Sequence, residues 1–167
     1  MKQGIFEIIE NTALTDCVYR MRLQGDTSAI TAAGQFVNIQ LSGKYLRRPI
    51  SVCEVNGDVL TIVYKVVGGG TEQMSKMPCG EKLDILTGLG NGYNLELAGE
   101  KPVLLGGGVG VPPMYELCKR LIDMGKEVKV ILGFNTKSEL FYEDEFKALG
   151  ADVTVTTVDG SYGIKGF

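Results

Sequence analysis

Three segments of this chain carry residue types and spacings that could bind phosphate groups or a planar ring. The first is Arg47-Arg48-Pro49-Ile50-Ser51. Arginine presents a planar fork of donors that matches phosphate geometry, and the proline that follows fixes the backbone that carries the fork. Ser51 could offer its hydroxyl and its backbone N–H to a ring heteroatom. The alternative is a strand end that carries two solvated arginines.

The second segment joins Val63-Tyr64-Lys65 to Gly68-Gly69-Gly70-Thr71. Glycines directly before a helix allow backbone N–H groups to approach a pyrophosphate at the positive end of the helix. Thr71 is placed to act as the N-cap of that helix. The alternative is a flexible hairpin loop.

The third segment is Gly106-Gly107-Gly108-Val109-Gly110-Val111-Pro112-Pro113, between an apolar run and a helical pattern. A glycine string between a strand and a helix is typical of a dinucleotide-binding loop. The spacing differs from the usual G-x-G-x-x-G, and proline suits the first helical position because its missing N–H is not needed there. The alternative is a tight strand-to-helix turn.

Two further segments would meet the glycine loop at one edge of a parallel sheet. Phe134-Asn135-Thr136-Lys137 contains no acidic residue for a ribose 2′-hydroxyl and no arginine for a 2′-phosphate, so NAD(H) is favoured over NADP(H), with Lys137 leaving a phosphate contact open. Asp159-Gly160-Ser161 follows the third predicted strand and could contact the same ligand. Its alternative is a plain turn.

The composition narrows the chemistry that these segments could support. Of the 23 glycines among 167 residues, 12 lie between Gly68 and Gly110, so the excess is local. The chain has no histidine, which excludes Ser-His and Cys-His nucleophile pairs and His-ligated metals. A cofactor is therefore expected to carry any difficult chemistry.

The charge and the cysteines indicate the partners and the compartment. A net charge of −3 with scattered basic residues argues against nucleic acid or a membrane surface as the main partner. No apolar run approaches the ~20 residues of a membrane span. The four cysteines lie at least 26 residues apart, so we expect free, buried thiols in a reducing cytoplasm, not disulfides or a metal cluster.

Residues 4–98 read as short strands separated by turns. Apolar residues alternate with polar ones in 17–23, in 37–41 and, after the Asn56-Gly57-Asp58 turn, in 60–66. Repeated short strands of this kind predict an antiparallel barrel or sandwich. Residues 71–77 are expected to form one or two helical turns.

After Gly99 the pattern changes to alternating strands and helices. Residues 102–106 resemble a strand buried on both faces, and 112–124 have helical spacing that ends at Gly125. A strand over 128–133, a helix over 138–149 with Ser138 as a cap, and a strand over 153–158 complete a β-α-β-α-β order. This order predicts a parallel sheet with right-handed crossovers, and we place the domain boundary near Gly99, between 1–99 and 100–167.

The first strand of the second domain would lie unprotected. With only residues 159–167 after the third strand, Val103-Leu104-Leu105 is left as an apolar sheet edge, which native proteins avoid. We therefore expect either that the chain is a fragment or that it depends on a partner.

Taken together, the motifs resemble those of the ferredoxin–NAD(P)H reductase superfamily. In that superfamily a barrel binds flavin through R-P-x-S and G-x-G-T segments, and an α/β domain binds nicotinamide through G-G-G-x-G-x-x-P. The same order appears here as Arg48 to Ser51, Gly68 to Thr71 and Gly106 to Pro113. The resemblance implies a β + α/β fold: an N-terminal antiparallel six-stranded Greek-key type β-barrel (1–99, FAD-binding), then a partial Rossmann-like parallel α/β domain (100–167, NAD-binding).

Within that superfamily, the set is most similar to the electron-transfer subunits of NAD-dependent dihydroorotate dehydrogenase. That likeness rests on residues 46–51, 89–92, 106–113 and 159–163. It implies electron transfer from dihydroorotate, oxidised at FMN on a separate catalytic subunit, through a [2Fe–2S] cluster and FAD to NAD⁺ in pyrimidine biosynthesis. The assembly implied is a heterotetramer.

The resemblance also assigns site residues. FAD would contact the following: Arg48, Pro49, Ile50, Ser51, Val63, Tyr64, Lys65, Gly70 and Thr71. The candidates for NAD(H) are the following: Gly107, Gly108, Val109, Gly110, Pro112, Asp159, Gly160 and Ser161. No catalytic side chain is assigned. No metal ligand is assigned either, because the family's four closely spaced C-terminal cysteines have no counterpart in this chain, which therefore cannot bind the [2Fe–2S] cluster.

Two other functions are kept open. One is a flavin reductase subunit of a ferredoxin-dependent, sulfide- or hydrogenase-type NAD(P)H oxidoreductase, which would share all three motifs. The other is a nucleotide-binding module without a redox role.

Overall fold

The computed structural model describes residues 1–166, which divide into two compact units, Met1–Gly92 and the residues from Tyr93 onward. The first unit is a closed antiparallel barrel with the strand order β1-β2-β5-β4-β3-β6. Its elements are β1 Lys2–Ala13, β2 Val18–Gln24, β3 Phe36–Gln40, β4 Arg48–Asn56, β5 Val59–Lys65, α1 Gly69–Ser75 and β6 Lys82–Leu89. The predicted six-stranded barrel is confirmed.

Alternation along the strands builds the core of the barrel. Met21 and Leu23 on β2 and Val37 and Ile39 on β3 point inward and are fully buried, while their sequence neighbours are more exposed. Met74 of α1 belongs to the same apolar cluster. The short helix is therefore held against the barrel by a buried apolar side chain of its own.

The second unit contains a four-stranded sheet in the order β10-β9-β8-β7. Its elements are β7 Val103–Gly107, α2 Pro112–Asp123, β8 Lys129–Phe134, α3 Glu143–Ala148, β9 Asp152–Thr157 and β10 Ile164–Lys165. All neighbouring strands run parallel. The predicted parallel α/β fold is confirmed, and the two-residue strand β10 adds to it.

The helix α2 ends as its sequence predicts. Gly125 has a φ of 80°, and its N–H donates to the carbonyl of Ile122 at 2.8 Å. The N–H of Lys126 reaches the carbonyl of Leu121 at 3.0 Å. These two bonds close the helix in the manner of a glycine C-cap.

The predicted edge position of β7 is confirmed, but its predicted burial on both faces is wrong. β7 pairs only with β8. Leu104 faces the core, whereas the side chains of Val103 and Leu105 are 58% and 72% exposed. The helix α2 packs against β7, and α3 packs against β9.

The single helix predicted over 138–149 is also wrong. A 3₁₀ turn at Lys137–Glu139 is followed by a break, and α3 begins only after Tyr142, whose φ is 68°. The break buries two consecutive aromatic residues, since the Phe141 ring packs edge-on against Phe134 and the Tyr142 ring against Tyr115. Both rings are buried, so the backbone at Tyr142 leaves the helical conformation where two successive aromatic side chains find partners from elsewhere in the unit.

The cysteines differ in exposure. Cys53 and Cys118 are buried, Cys17 is half-buried and Cys79 is exposed, and all four are free thiols. The expectation of buried thiols is therefore wrong for Cys79. In residues 1–166, no helix is both long and apolar enough to cross a membrane.

Candidate functional site

The barrel opens between β4 and β5 at the residues that the sequence singles out. The ladder between these strands reaches Val52 opposite Ile62 and does not extend to 48–51 and 63–65. Residues 48–51 instead pair with β3, and 63–65 pair with β2. We call these two facing strand edges the β4–β5 opening. In the described chain their facing backbone groups have no strand partner, so they are free to bind a ligand or water.

Arg48 lies where the arginine segment, 47–51, meets the glycine segment, 68–71. A Cβ atom at Gly70 would collide with Nε of Arg48 and would lie 2.8 Å from Cζ and 2.9 Å from Nη2. The guanidinium therefore rests directly on the backbone of Gly70, where only glycine leaves room for it. The Arg48 fork, predicted to bind phosphate, and the glycine segment thus lie at one place.

The two arginines of the segment have different surroundings. Nη2 of Arg47 donates to Oδ1 of Asp84 at 2.9 Å, and its Nη1 donates to two backbone carbonyls. Burial raises the pKa of Asp84, but the Arg47 guanidinium outweighs this, so that the pKa is lowered overall. Arg48 donates only to the carbonyls of Leu46 and Arg47 within the described residues. Arg48 is therefore the cation left for an anionic ligand.

Thr71 does not cap α1 in the predicted way. The helix begins at Gly69, its N-cap is Gly68, and Thr71 is the third helical residue. Its hydroxyl accepts from the N–H groups of Val67 and Gly68 at 3.0 and 3.3 Å and donates to the carbonyl of Gly68 at 3.0 Å. The glycines fold into the first turn because the threonine hydroxyl stabilises the backbone from inside the helix.

Tyr64 is placed in the barrel core, not on a ligand surface. Its side chain is 2% exposed, and its hydroxyl donates to Oδ1 of Asn11 at 3.0 Å. Burial is the main reason that the pKa of Tyr64 is raised above its ordinary value. Val63 is also buried and Lys65 is exposed. At 63–64 only the backbone can therefore contribute to the β4–β5 opening.

Ser51, Ile50 and Pro49 complete the β4 side of the opening. Ser51 lies opposite Phe36 and Pro49 lies opposite Asn38 on β3. Pro49 is exposed, whereas Ile50 and Ser51 are half-buried. Continuing the β4–β5 register beyond Val52 and Ile62 would place Ser51 opposite Val63 across the opening.

In the second unit, the glycine loop forms the predicted strand-to-helix turn. Gly108–Gly110 is a 3₁₀ turn after β7, and Pro112 is the first residue of α2. A Cβ at Gly106 would lie 3.1 Å from the carbonyl oxygen of Gly110, so glycine permits the close turn. Cβ atoms at Gly108 and Gly110 would meet nothing within 4 Å. The outer side of the loop, with the exposed Val109 and the open face of Gly107, is therefore accessible.

Asp159, Gly160 and Ser161 lie at the carboxyl ends of the parallel strands, the same edge as the glycine loop. The Ser161 hydroxyl donates to Oδ1 of Asp159 at 2.7 Å and accepts from the N–H of Lys137 at 2.8 Å. The hydrogen bonds from Ser161 lower the pKa of Asp159. Gly160 has a φ of 76°. These contacts hold the loops after β8 and β9 together.

Sequence reasoning missed an acidic side chain at this edge. Oε2 of Glu139 accepts from Nδ2 of Asn135 at 2.8 Å and from its N–H at 3.3 Å. The segment 134–137 itself contains no acid, but the 3₁₀ turn brings the carboxylate of Glu139 back to the end of β8. The ammonium of Lys137 lies 5.3 Å from the centre of the Tyr162 ring. A cation held over a ring is less available for phosphate.

The described residues do not form a metal centre. In residues 1–166, no group of three or more Cys, Asp or Glu side chains is placed to hold a metal ion. An iron–sulfur cluster needs four cysteine thiolates, and Cys53 and Cys118 are each buried in the core of a different unit. The cysteines of this chain therefore do not fit such a cluster.

The chain is similar over its whole length to curated bacterial proteins. It is 43% identical over 175 residues to the dihydroorotate dehydrogenase B (NAD(+)) electron transfer subunit of Bacillus pumilus, covering 100% of this chain and 67% of the relative. The protein of the same name from Fusobacterium nucleatum is 44% identical over 166 residues, covering 95% of this chain and 64% of the relative. The chain belongs to this family.

The relatives extend further than the chain does. The chain spans about two thirds of the length of these family members. No family model matches it. The resemblance inferred from the motifs is nevertheless confirmed, because the identity extends over the barrel and the α/β unit alike.

Solved structures of reductases share the fold of this chain. An NADH-dependent reduced ferredoxin-NADP oxidoreductase has a TM-score of 0.87 and 33% identity, over 96% of this chain and 59% of that one. A ferredoxin NADP⁺ reductase from Neisseria gonorrhoeae with bound FAD and NADP has a TM-score of 0.82 and 19% identity, over 100% and 74%. At that identity the second likeness shows the fold alone.

Proposed function

We propose that the chain is the FAD-binding part of a subunit that transfers electrons from dihydroorotate oxidation to NAD⁺. The family's name supplies the reaction, and the site geometry supports the binding of the flavin. The observation that carries the proposal is the position of Arg48, which lies on Gly70 at the end of the β4–β5 opening. A phosphate donor fork beside two unpaired strand edges suits a flavin dinucleotide.

Each part of the opening has a role in this proposal. The unpaired backbone edges at 48–51 and 63–65 would hydrogen-bond the polar rim of the isoalloxazine ring. Arg48 would bind the pyrophosphate together with the backbone around Gly70 and Thr71. Ser51 would lie beside the reactive ring, where its hydroxyl could orient the ring. Bound FAD would supply two-electron hydride chemistry, which needs no histidine base from the protein.

The α/β unit would bind the nicotinamide dinucleotide. The accessible glycine loop, from Gly107 to Gly110 with Pro112 starting α2, would receive the pyrophosphate. The tied loops that carry Asp159, Gly160 and Ser161 would form the neighbouring wall. Glu139 could accept a hydrogen bond from the 2′-hydroxyl of the adenosine ribose and would repel a 2′-phosphate, which supports NAD(H) over NADP(H).

The remaining parts of the proposal concern assembly and compartment. A subunit named for electron transfer works with a catalytic partner, for which we propose an FMN-containing dihydroorotate-oxidising subunit in a heterotetramer. The described thiols do not fit the family's cluster, so no electron step within this chain is assigned to it. Four free cysteines suit a reducing cytoplasm.

Purification of the chain tests the flavin proposal directly. We expect a yellow protein, or a colourless one that becomes yellow with FAD, whose visible absorbance bleaches on reduction. A well-folded chain that cannot be loaded with FAD would overturn the proposal and leave a non-redox nucleotide-binding module as the better description.

The identity of the electron donor needs a separate experiment. The 33% identity to the NADH-dependent reduced ferredoxin-NADP oxidoreductase favours a ferredoxin-linked reductase as the second candidate. The chain should be co-expressed with an FMN-containing, dihydroorotate-oxidising protein. NAD⁺ reduction that depends on dihydroorotate supports the main proposal, whereas NAD(P)⁺ reduction that depends on reduced ferredoxin supports the second.

A further inference from the structure

A second cation reaches the glycine segment of the barrel. Lys44 lies on the loop between β3 and β4, and its Nζ is 3.4 Å from the position that a Cβ atom would take at Gly69. Hydrogen bonds from two glutamine side chains hold this loop in place. Nε2 of Gln40 donates to the carbonyl of Lys44 at 2.9 Å, and Nε2 of Gln73 in α1 donates to the carbonyl of Ser42 at 3.2 Å.

Neither cation at this place is neutralised by a carboxylate of its own. Arg48 donates only to backbone carbonyls, and Lys44 has no ion pair within salt-bridge distance among residues 1–166. The Glu72 carboxylate is close enough for Lys44 to contribute to lowering its pKa, but its hydrogen-bonded partner is Lys76, at 2.7 Å. The region therefore keeps an excess of positive charge that an anionic ligand could neutralise.

The two cations lie over successive glycines, and this spacing indicates the ligand. Arg48 rests on Gly70, and Lys44 reaches Gly69. Successive Cα atoms are about 3.8 Å apart, so the two cations contact neighbouring points of one short backbone segment. A single phosphate could occupy the Arg48 position alone, whereas a diphosphate would engage both cations.

We propose that Lys44 binds the second phosphate of the flavin dinucleotide and makes the barrel select FAD over FMN. This inference rests on the proposed function of the β4–β5 opening. Arg48 binds one phosphate, a group that both FMN and FAD carry. Lys44 adds a contact that only the diphosphate reaches, and a point-charge ammonium on a flexible stem is suited to follow it.

The test is a comparison of three flavins on matched variants. The flavin-free protein is titrated with FAD, FMN and riboflavin, and quenching of flavin fluorescence gives each Kd. The variants are Lys44→Gln, Lys44→Arg and, as a control, Lys82→Gln, which removes the same charge from an exposed position at the start of β6. Circular dichroism and thermal melting show whether each variant is folded.

We expect Lys44→Gln to weaken FAD about tenfold, or ~1.4 kcal/mol. FMN and riboflavin should change by less than about twofold, the range of a distant surface charge. Lys44→Arg should retain most of the FAD preference, and Lys82→Gln should behave as the wild type.

If Lys44→Gln loses affinity for FAD and FMN equally, or for neither, Lys44 does not bind the second phosphate. If Lys44→Gln does not fold, the comparison of FAD with FMN on Lys44→Arg and the wild type decides the matter, since a wild type without FAD preference overturns the inference. A folded wild type that binds none of the three flavins instead overturns the proposed function itself.

Discussion

Gly70→Ala should separate folding from flavin binding in this barrel. Gly70 is the second residue of α1 and is buried, and its φ is not positive, so alanine fits the backbone there. Replacing glycine by alanine inside a helix is worth roughly 0.5–1 kcal/mol, and less in a first turn. The three atoms nearest to the added methyl group all belong to the guanidinium group of Arg48, the movable end of a long side chain. The melting temperature should therefore stay the same or rise slightly.

The flavin should nevertheless bind more weakly. A methyl group that collides with Nε of Arg48 must push the guanidinium away from its present position. Hydrogen bonds to charged groups contribute about 1.5–3 kcal/mol, so losing the Arg48–phosphate contact should raise the Kd for FAD by about tenfold to a hundredfold. Titration of the flavin-free protein by fluorescence quenching measures this directly.

A double-mutant cycle identifies the route of the effect. Arg48→Ala alone should weaken FAD by a similar factor. Adding Gly70→Ala to Arg48→Ala should then change the Kd by less than about twofold, because the side chain that the methyl group displaces is already gone. Undiminished FAD affinity in Gly70→Ala, or full additivity of the two changes, would refute the assignment of Arg48 to the phosphate.

Three further expectations concern the second unit and the thiols. Gly110→Ala should leave the melting temperature nearly unchanged, since a Cβ there meets nothing within 4 Å and the φ of Gly110 is not positive, yet it should slow NADH-dependent reduction of bound FAD; unimpaired reduction would remove the glycine loop from the site. Glu139→Gln should narrow the preference for NADH over NADPH in that assay by roughly tenfold, ~1.4 kcal/mol, whereas an unchanged ratio would remove the carboxylate from cofactor selection. Burial raises the pKa of the Cys118 thiol to about 11, so at pH 8 a thiol reagent should modify the exposed Cys79 and spare Cys118. The folded state favours the neutral thiol, so Cys118 should destabilise the fold only as the pH rises above the ordinary pKa of a thiol, about 8.5. Comparing the pH dependence of the melting temperature between the wild type and Cys118→Ala checks this.

The sequence was most informative where a local rule decides the structure. Alternation in 17–23 and 37–41 predicted two barrel strands correctly, because a pleated strand with one buried face has a period of two. Gly125 marked the end of α2, because only a residue that tolerates positive φ closes a helix in that way. The glycine loop before Pro112 was found for the same reason, since strand, tight turn and helix each have a local signature.

Predictions failed where burial overrode local preference. Phe141 and Tyr142 interrupt a helical pattern because both rings find aromatic partners that come from other parts of the chain. Thr71 looks like an N-cap by residue type, yet its hydroxyl serves the turn from inside the helix. Glu139 was overlooked because the predicted helix begins at Ser138 and leaves Asn135 outside it, whereas the 3₁₀ turn at Lys137–Glu139 brings the carboxylate back to Asn135.

The sequence by itself determined which residue types are present for flavin and nucleotide binding, and in which order along the chain. Only the tertiary structure decided how they meet: the β4–β5 ladder stops at Val52 and Ile62, and Arg48 lies on Gly70. It also separated Arg48 from Arg47, which the sequence presents as equivalent neighbours, by pairing Arg47 with Asp84. The physical reason is that closing a barrel brings together residues that are distant in sequence, and a local pattern carries no record of those contacts.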